Sequence, residues 1–457
     1  MVVTEAGVLL ARILDQERCT AGQFLRRLAA RHEALGLGIM VARPEKFSRW
    51  CSGTIPERRA QIALADLLGV SVEQLYALGW PGWLRLALHD GHALLASPWT
   101  HAGSVQALHA LAHTERLADM ERRAVIIAGG TLAATLAGWS AATPAGAMQT
   151  PGRTPRLTTG SVDLIDSRLD SLRRQDDQVG SEHTYALART ELSQLVRSLK
   201  TASYNTDTGR RLFAAAAEAS RISGWAAFDS GNTGVAERHY LAALRAAASA
   251  DNPVVTANTL SFWAMLRYSA NDPAGALQLV DAAHHHARKI GSARMTAMLH
   301  ARASRAHAKA GDQQASRRAE AAAFTTYDQA GPADDEPPCV YWVDRNELHG
   351  WAATNALDLN NPRRALTQHT AITAAHYTEQ HDDQAQPRTA ALRLTRQADA
   401  YLALGDVDVA VHTAGRAVQI LGGVASSRGT AIFAGLKTKL AAHQDVPAVR
   451  DFLETTR

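Results

Sequence analysis

Ala42-Arg-Pro-Glu-Lys-Phe-Ser-Arg-Trp-Cys-Ser-Gly53 reads as a short helix with two unlike faces. Pro44 suits the first helical turn, where its missing N–H breaks no intrahelical bond. Gly53 suits the position just past the helix, where a positive φ is needed. Phe47 and Trp50 stand three apart and share one face. Arg43, Glu45, Lys46, Ser48 and Arg49 are left to point outward. Such a row suits a DNA major groove, where Arg and Lys donate to guanine edges and Ser to phosphate. An ordinary amphipathic surface helix would carry the same pattern, so the neighbouring segments decide.

Three S/T-x-x-E/Q patterns flank it: Thr20–Gln23, Thr54–Glu57 and Ser71–Gln74. Each predicts a helix start with reciprocal capping, giving helices near 21–35, 55–68 and 72–78. A first helix over Ala6 to Asp15 carries Val8, Leu9, Ile13 and Leu14. The second places Phe24, Leu25 and Leu28 on one side and Arg26, Arg27 and Arg31 off it. Five short helices, the third bearing basic residues, make a helix-turn-helix domain over residues 1–80. Arg58 and Arg59 open its fourth helix and are placed to grip phosphates. Each of these arginines has the alternative of a solvated surface charge. Ten Arg/Lys face eight Asp/Glu in this stretch, so one copy should bind DNA moderately and depend on a dimer.

Phe47-Ser-Arg-Trp-Cys-Ser-Gly53 resembles the end of the recognition helix in the xenobiotic-response-element (Cro/repressor-like) family. Ile62 to Leu75 resembles that family's fourth and fifth helices. The resemblance implies that Arg43, Glu45 and Lys46 face bases and that Ser48 and Arg49 lie by phosphate or a base edge. One departure stands out. Gly36 to Val41 intervene where the compact form has a short turn, and this longer form is similar to actinobacterial regulators of the family.

Ala, Leu and Arg dominate the 457 residues, and aromatics are only 6%. That composition favours helices, and the fold class expected is all-α. The net charge of +4 is mild, so contact with nucleic acid must come from a local patch. Cys19, Cys51 and Cys339 form neither a zinc spacing nor a disulfide framework. Glu5, Arg12, Asp15 and Glu17 interrupt any export signal, so a reducing cytoplasm is expected.

Gly79-Trp-Pro-Gly-Trp83 breaks the chain, and residues 81–142 read as connector helices. His109 and His113 are four apart, with His89, His92 and His101 nearby, but no further ligand at suitable spacing completes a metal site. Met120-Glu-Arg-Arg123 precedes the uncharged run Ala124 to Ala142. Its length would allow a membrane span, and a twin arginine before an apolar run occurs in export signals. The run is mostly Ala, Gly and Thr and lies inside the chain, so it reads as a buried connector helix. A similar segment recurs in actinobacterial proteins that join such a DNA-binding domain to helical repeats. Residues 143–160, with three prolines, read as a flexible linker.

Residues 161–457 repeat a helix, a tight turn and a second helix. The turn anchors are Gly231, Asn271, Gly311, Asn360 and Gly405, spaced 40, 40, 49 and 45 apart. From each anchor, offsets of 5, 9 and 12 fall on Ala236, Tyr240, Ala243; Ala276, Val280, Ala283; Ser316, Glu320, Ala323; Ala365, His369, Ile372; and Ala410, Ala414, Ala417. This resembles the tetratricopeptide repeat, lengthened beyond its usual 34 or so residues. A helical solenoid follows, with a groove for a peptide or small molecule. Candidate groove residues are Asn258, Trp263 and Arg267, then Arg302 and Arg305, then Asn346, Trp351 and Asn355. Each has the alternative of packing repeats together. Gly331 to Pro338 reads as an exposed loop. His284-His-His286 point in different directions and make no metal site.

No phosphate-binding loop, nucleophile elbow or zinc-protease motif occurs, and neither a catalytic site nor a cofactor is expected. The sequence therefore points to a cytoplasmic, homodimeric transcriptional regulator. It would bind double-stranded DNA through the N-terminal domain and a signal through the repeats, and the resemblance associates it with secondary metabolism or development. The competing expectations are a repeat scaffold without specific DNA binding and, through residues 124–142, a membrane-anchored regulator.

Overall fold

The computed structural model describes residues 4–17, 19–68, 70, 72, 75–76, 79–87, 94, 97–112, 129–148, 156–379, 387–421 and 427–456. Among them the regular structure is helical: twenty α-helices, short 3-10 turns and two isolated β-bridges. The all-α class expected from composition is what the chain adopts. Two compact units divide it, Met1–Ser97 and Pro98–Arg457.

The first unit contains α1 (Glu5–Gln16), α2 (Ala21–Ala34), α3 (Pro44–Cys51) and α4 (Arg58–Leu67), followed by a 3-10 turn over Gly82–Ala87. Leu10, Ile13, Phe24, Leu25, Leu28, Phe47, Trp50 and Leu64 make one core. α2 starts as its sequence dictates: Gln23 N–H donates to Thr20 Oγ1 at 3.3 Å and Thr20 N–H donates to Gln23 Oε1 at 2.8 Å. α3 carries Pro44 in its first turn, and Gly53 just beyond it sits at φ 104°. α1 lies directly on the end of α3. Thr4 Oγ1 donates to the Cys51 carbonyl at 2.7 Å, and a Cβ on Gly7 would come within 2.5 Å of that same oxygen.

Two details differ from expectation. Thr54 does not cap α4. Its N–H donates back to the Arg49 carbonyl at 2.9 Å, which draws Thr54 into the turn after α3, and Glu57 becomes the N-cap without a side-chain bond. The unit also runs past residue 80, because Trp83 and Leu84 are buried in its core. Ser71 and Gln74 lie outside the described residues, as does much of the fifth helix expected at 72–78.

The second unit opens with α5 (His101–Ala112) and α6 (Gly129–Ser140). α5 packs on the repeats, with Ser104 Oγ donating to the Arg245 carbonyl at 3.0 Å. Of the run 124–142, residues 124–128 lie outside the described residues; α6 covers most of the rest, with Leu132 and Trp139 buried. Among the described residues no helix is long and apolar enough to cross a membrane. The described parts of 143–160 are not a free linker. Ala145 N–H donates to the Ser249 carbonyl at 2.8 Å, Met148 exchanges backbone bonds with Tyr204, and Leu157 N–H donates to Ser203 at 3.1 Å.

α7 (Thr159–Val179) and α8 (Ser181–Thr201) lead into five antiparallel helix hairpins. These are α9 (Thr206–Asp229) with α10 (Thr233–Ala250), α11 (Pro253–Ser269) with α12 (Pro273–Ile290), and α13 (Ala293–Lys309) with α14 (Gln313–Tyr327). α15 (Arg345–Asp358) with α16 (Pro362–Glu379) and α17 (Pro387–Ala403) with α18 (Val407–Leu421) follow, and α19 (Ser427–Leu440) and α20 (Pro447–Thr455) close the chain. Each expected turn anchor joins one pair and has a positive φ: 85° at Gly231, 63° at Asn271, 78° at Gly311, 53° at Asn360 and 87° at Gly405. Only glycine and, less readily, asparagine hold that conformation cheaply. Every residue at offsets 5, 9 and 12 is buried, Ala236, Ala276, Ala365 and Ala410 completely. Small side chains there let the two helices of a hairpin close on each other, as Gly224 does against the Tyr240 ring. The segment at 331–338 is exposed at Gly331, Pro332, Asp334, Asp335 and Pro338 but pinned by Glu336, which accepts from Ser292 Oγ and from Arg294 N–H at 3.2 Å.

Candidate functional site

In the first unit, burying Phe47 and Trp50 turns the opposite side of α3 to solvent. Arg43, Glu45, Ser48 and Arg49 are exposed and Lys46 is half-buried; Arg58 and Arg59 are exposed at the start of α4. Arg43 is the N-cap of α3 in extended conformation, with no side-chain capping bond. Ser48 Oγ points back to the Pro44 carbonyl at 3.5 Å. Arg58 stacks over the Tyr76 ring at 4.6 Å. Two of the three arginines of α2 are spoken for: Arg27 pairs with Glu17 at 2.8 Å and Arg31 with Asp66. Among the described residues no carboxylate pairs with Arg43, Lys46, Arg49, Arg58 or Arg59. α3 and the start of α4 thus carry five cations that no anion among the described residues neutralises.

In the second unit a cavity of about 190 Å³ is walled by every odd-numbered helix from α7 to α19. Its apolar wall is a chain of aromatic rings. Trp225 meets Phe262 at 5.7 Å, Phe262 meets Trp342 at 6.1 Å, and Trp342 meets Trp351 at 5.8 Å, all edge to face. Guanidiniums lie on these faces: Arg221 over Phe262 at 4.4 Å, Arg302 over Trp351 at 5.0 Å, and Arg428 over Trp225 at 5.1 Å.

Most of the arginines are held by carboxylates. Glu218 takes Arg221 at 2.7 Å and Arg173 at 2.8 Å. Asp176 takes Arg388 at 2.8 Å, and Asp229 takes Arg428 at 3.1 Å. Asp358 takes Arg305 at 2.7 Å, and Glu347 takes Arg393 at 3.3 Å. Burial alone would raise the Glu218 carboxyl; the guanidiniums of Arg221 and Arg173 overcome it and hold the group at about 2. Burial pushes the Cys339 thiol up to about 12, so it stays protonated.

Arg302 and Arg396 differ from the rest. Arg302, only 3% exposed, donates to Tyr268 Oη at 2.9 Å and to Ser261 Oγ at 3.4 Å and meets no carboxylate among the described residues. Arg396 is partly open to the cavity and has no side-chain hydrogen bond or ion pair among the described residues. Burial, reinforced by Arg305 and Arg428, pushes its guanidinium down to about 10.

Of the eight groove candidates the structure brings Arg302, Arg305 and Trp351 to this cavity. The other five are placed elsewhere. Trp263 Nε1 and Arg267 both donate to Glu237, at 3.0 and 2.9 Å, inside the packing of the hairpins. Asn258 approaches Glu218 behind the wall at 3.5 Å. Asn355 Nδ2 donates to Ser304 Oγ at 2.6 Å, and its Oδ1 accepts from Arg305 at 2.8 Å. Asn346 is buried with neither amide atom bonded.

A positional signal identifies the wall. Residues nine before the turn anchors are Ile222, Phe262, Arg302, Trp351 and Arg396, and all five line the cavity. Aligning first helices on their turns would have found Arg396, Phe262 and Ile222. Arg173, Arg388 and Arg428 sit outside that register. Among the described residues no cluster of His, Cys, Asp and Glu is placed to hold a metal. His284 stacks on His300 at 4.6 Å and His286 on Trp139 at 4.8 Å; His113 is outside the described residues. No protein-family model matches the chain, and no curated protein matches its sequence.

Proposed function

We propose that the chain is a DNA-binding transcriptional regulator whose N-terminal unit is a helix-turn-helix domain and whose helix hairpins form a tetratricopeptide-like solenoid that senses a signal. The observation that carries this reading is the face of α3: Arg43, Lys46 and Arg49 with no anionic partner among the described residues, on a helix fixed from behind by Phe47 and Trp50. A rigid helix bearing unpaired donors suits insertion into a major groove. The cavity supplies the second half of the reading, a site enclosed enough to register a ligand. A ligand there would shift the hairpins, and through them the spacing of two recognition helices in a cytoplasmic homodimer.

The test is selection of fragments from the source genome with the full-length chain, beside the double variant Lys46→Ala, Arg49→Ala. Enrichment of a palindromic site that the variant loses supports the reading. Equal enrichment by both, or none at low salt by the full chain and by residues 1–97 alike, overturns it. The protein would then be a repeat scaffold whose N-terminal unit binds another protein.

A further inference from the structure

The positive charge inside the second unit is incompletely matched. Eight arginines line the cavity, and the ion pairs account for six. The two left over, Arg302 and Arg396, occupy equivalent positions: each lies nine residues before its turn anchor, Gly311 or Gly405. Both line the cavity. Arg302 is withdrawn from water without an anion, an expensive arrangement that persists where a ligand supplies the missing charge, and Arg396 opens onto the same cavity.

The rest of the wall defines the ligand's body. Phe262, Trp342 and Trp351 form continuous aromatic surface beside Arg302, and Trp225 extends it. Such a wall takes a flat apolar group by stacking or edge contact. The volume of about 190 Å³ falls below the roughly 300–1,000 Å³ of pockets that enclose drug-sized ligands. It suits one or two fused rings.

We propose that the cavity is the binding site of a small aromatic carboxylic acid, its ring against Phe262, Trp342 and Trp351 and its carboxylate accepting from Arg302 and Arg396. Guanidinium and carboxylate match as a planar fork to a planar pair of oxygens. The proposal rests on reading this unit as the sensor, and it fixes the chemistry of what is sensed.

The probe is 2-naphthoate, titrated into the full-length chain and followed by calorimetry and by tryptophan fluorescence. Its neutral isostere 2-naphthamide and inorganic phosphate are run beside it. Saturable binding of the acid is expected, with the amide weaker by about tenfold or more, because hydrogen bonds to an ionised acceptor are the stronger ones. Arg302→Met and Arg396→Met should each weaken the acid about tenfold while leaving the amide unchanged. Equal affinity for acid and amide overturns the proposal, as does absence of acid binding at millimolar concentration. Phosphate binding as tightly as naphthoate overturns the aromatic part. Should a variant fail to fold, the acid–amide comparison on the unaltered chain still decides. Genomic selection on the same preparation separates the two readings. Acid binding without DNA enrichment keeps this site and removes the regulator; DNA enrichment without acid binding does the reverse.

Discussion

The two units use the same side chain in opposite ways. In the N-terminal unit Arg43, Arg49, Arg58 and Arg59 stand in solvent on and beside a helix whose other face is core. In the C-terminal unit Arg221, Arg302 and Arg388 point inward, are nearly fully buried and lie on aromatic rings. An exposed row of free cations suits a long polyanion, because it neutralises a series of phosphates without having to enclose them. A buried cluster suits one small anion, because only an enclosed ligand replaces the lost hydration. Burial and pairing, more than composition, separate the two kinds of partner.

The largest effect that this contrast predicts is on stability. Glu237 receives Trp263 Nε1 and Arg267, and both members of the ion pair are only 2% exposed. Glu237→Ala takes one of two carboxylates from a buried guanidinium, leaving it Asp272, and strips Trp263 Nε1 of its acceptor; it should destabilise the C-terminal unit by about 2–3 kcal/mol. Urea unfolding followed by hydrogen exchange locates the loss. A change under 1 kcal/mol would mean that the inward arginines tolerate the loss of a carboxylate, and the argument for a charge-supplying ligand would weaken with it.

Acid comes next. His239 and His369 are buried, and burial with nearby arginines pushes the first down to about 3 and the second to about 4. The unfolded chain takes up these protons near pH 6.5 and the folded unit only near 3 to 4. Stability contributed by the neutral rings is therefore full above about pH 6.5 and lost progressively as pH falls toward 4. At pH 5 a single such histidine should account for about 2 kcal/mol. Exchange protection of α10 and α16 should fall with pH in that window. A flat profile from pH 7 to 5 would refute the burial of both rings.

A smaller effect is expected from the cations of α3. Lys46→Ala and Arg49→Ala should each leave unfolding within about 0.5 kcal/mol of the unaltered chain. On DNA each should weaken binding by about 1–3 kcal/mol at a base contact, or lower the salt slope by about 1 at a phosphate. Lost stability with unchanged DNA binding would mean that α3 is a packing element.

The hairpins were legible because each anchor is a glycine or asparagine that the turn requires, and because small residues recur at fixed offsets behind it. α3 was legible from Pro44, Gly53 and the Phe47–Trp50 spacing. The cavity was only partly legible. Arg267 and Arg302 look alike in sequence, yet Arg267 turns to Glu237 inside the packing and Arg302 to the central space. That distinction depends on which carboxylates neighbouring helices bring near, information at separations such as the 212 residues between Asp176 and Arg388. Thr54 failed as a cap for a related reason. The pattern to Glu57 was present, but a backbone bond to Arg49 had already claimed the residue.

The smallest effect contrasts the turns themselves. In the C-terminal unit Gly311 at φ 78° occupies the same role as Asn271 at 63° and Asn360 at 53°. That is near the left-handed well that asparagine tolerates. Gly311→Asn should therefore shift stability by no more than about 0.5 kcal/mol, since nothing lies within 4 Å of the added Cβ. Gly53, after α3, sits at φ 104°, outside that well, with the Thr4 methyl 3.5 Å from an added Cβ. Gly53→Asn should cost about 1 kcal/mol. It should also displace the end of α3, where Thr4 Oγ1 bonds to the Cys51 carbonyl. Paired denaturation curves of the two variants read the difference directly. Equal effects would mean that the turn after α3 is as interchangeable as the repeat turns, and that α3 is held by Phe47 and Trp50 alone. A larger effect at Gly53, with weakened DNA binding and an unchanged affinity for 2-naphthoate, would show a singly built helix on one side of the chain and a repeated, substitutable architecture on the other.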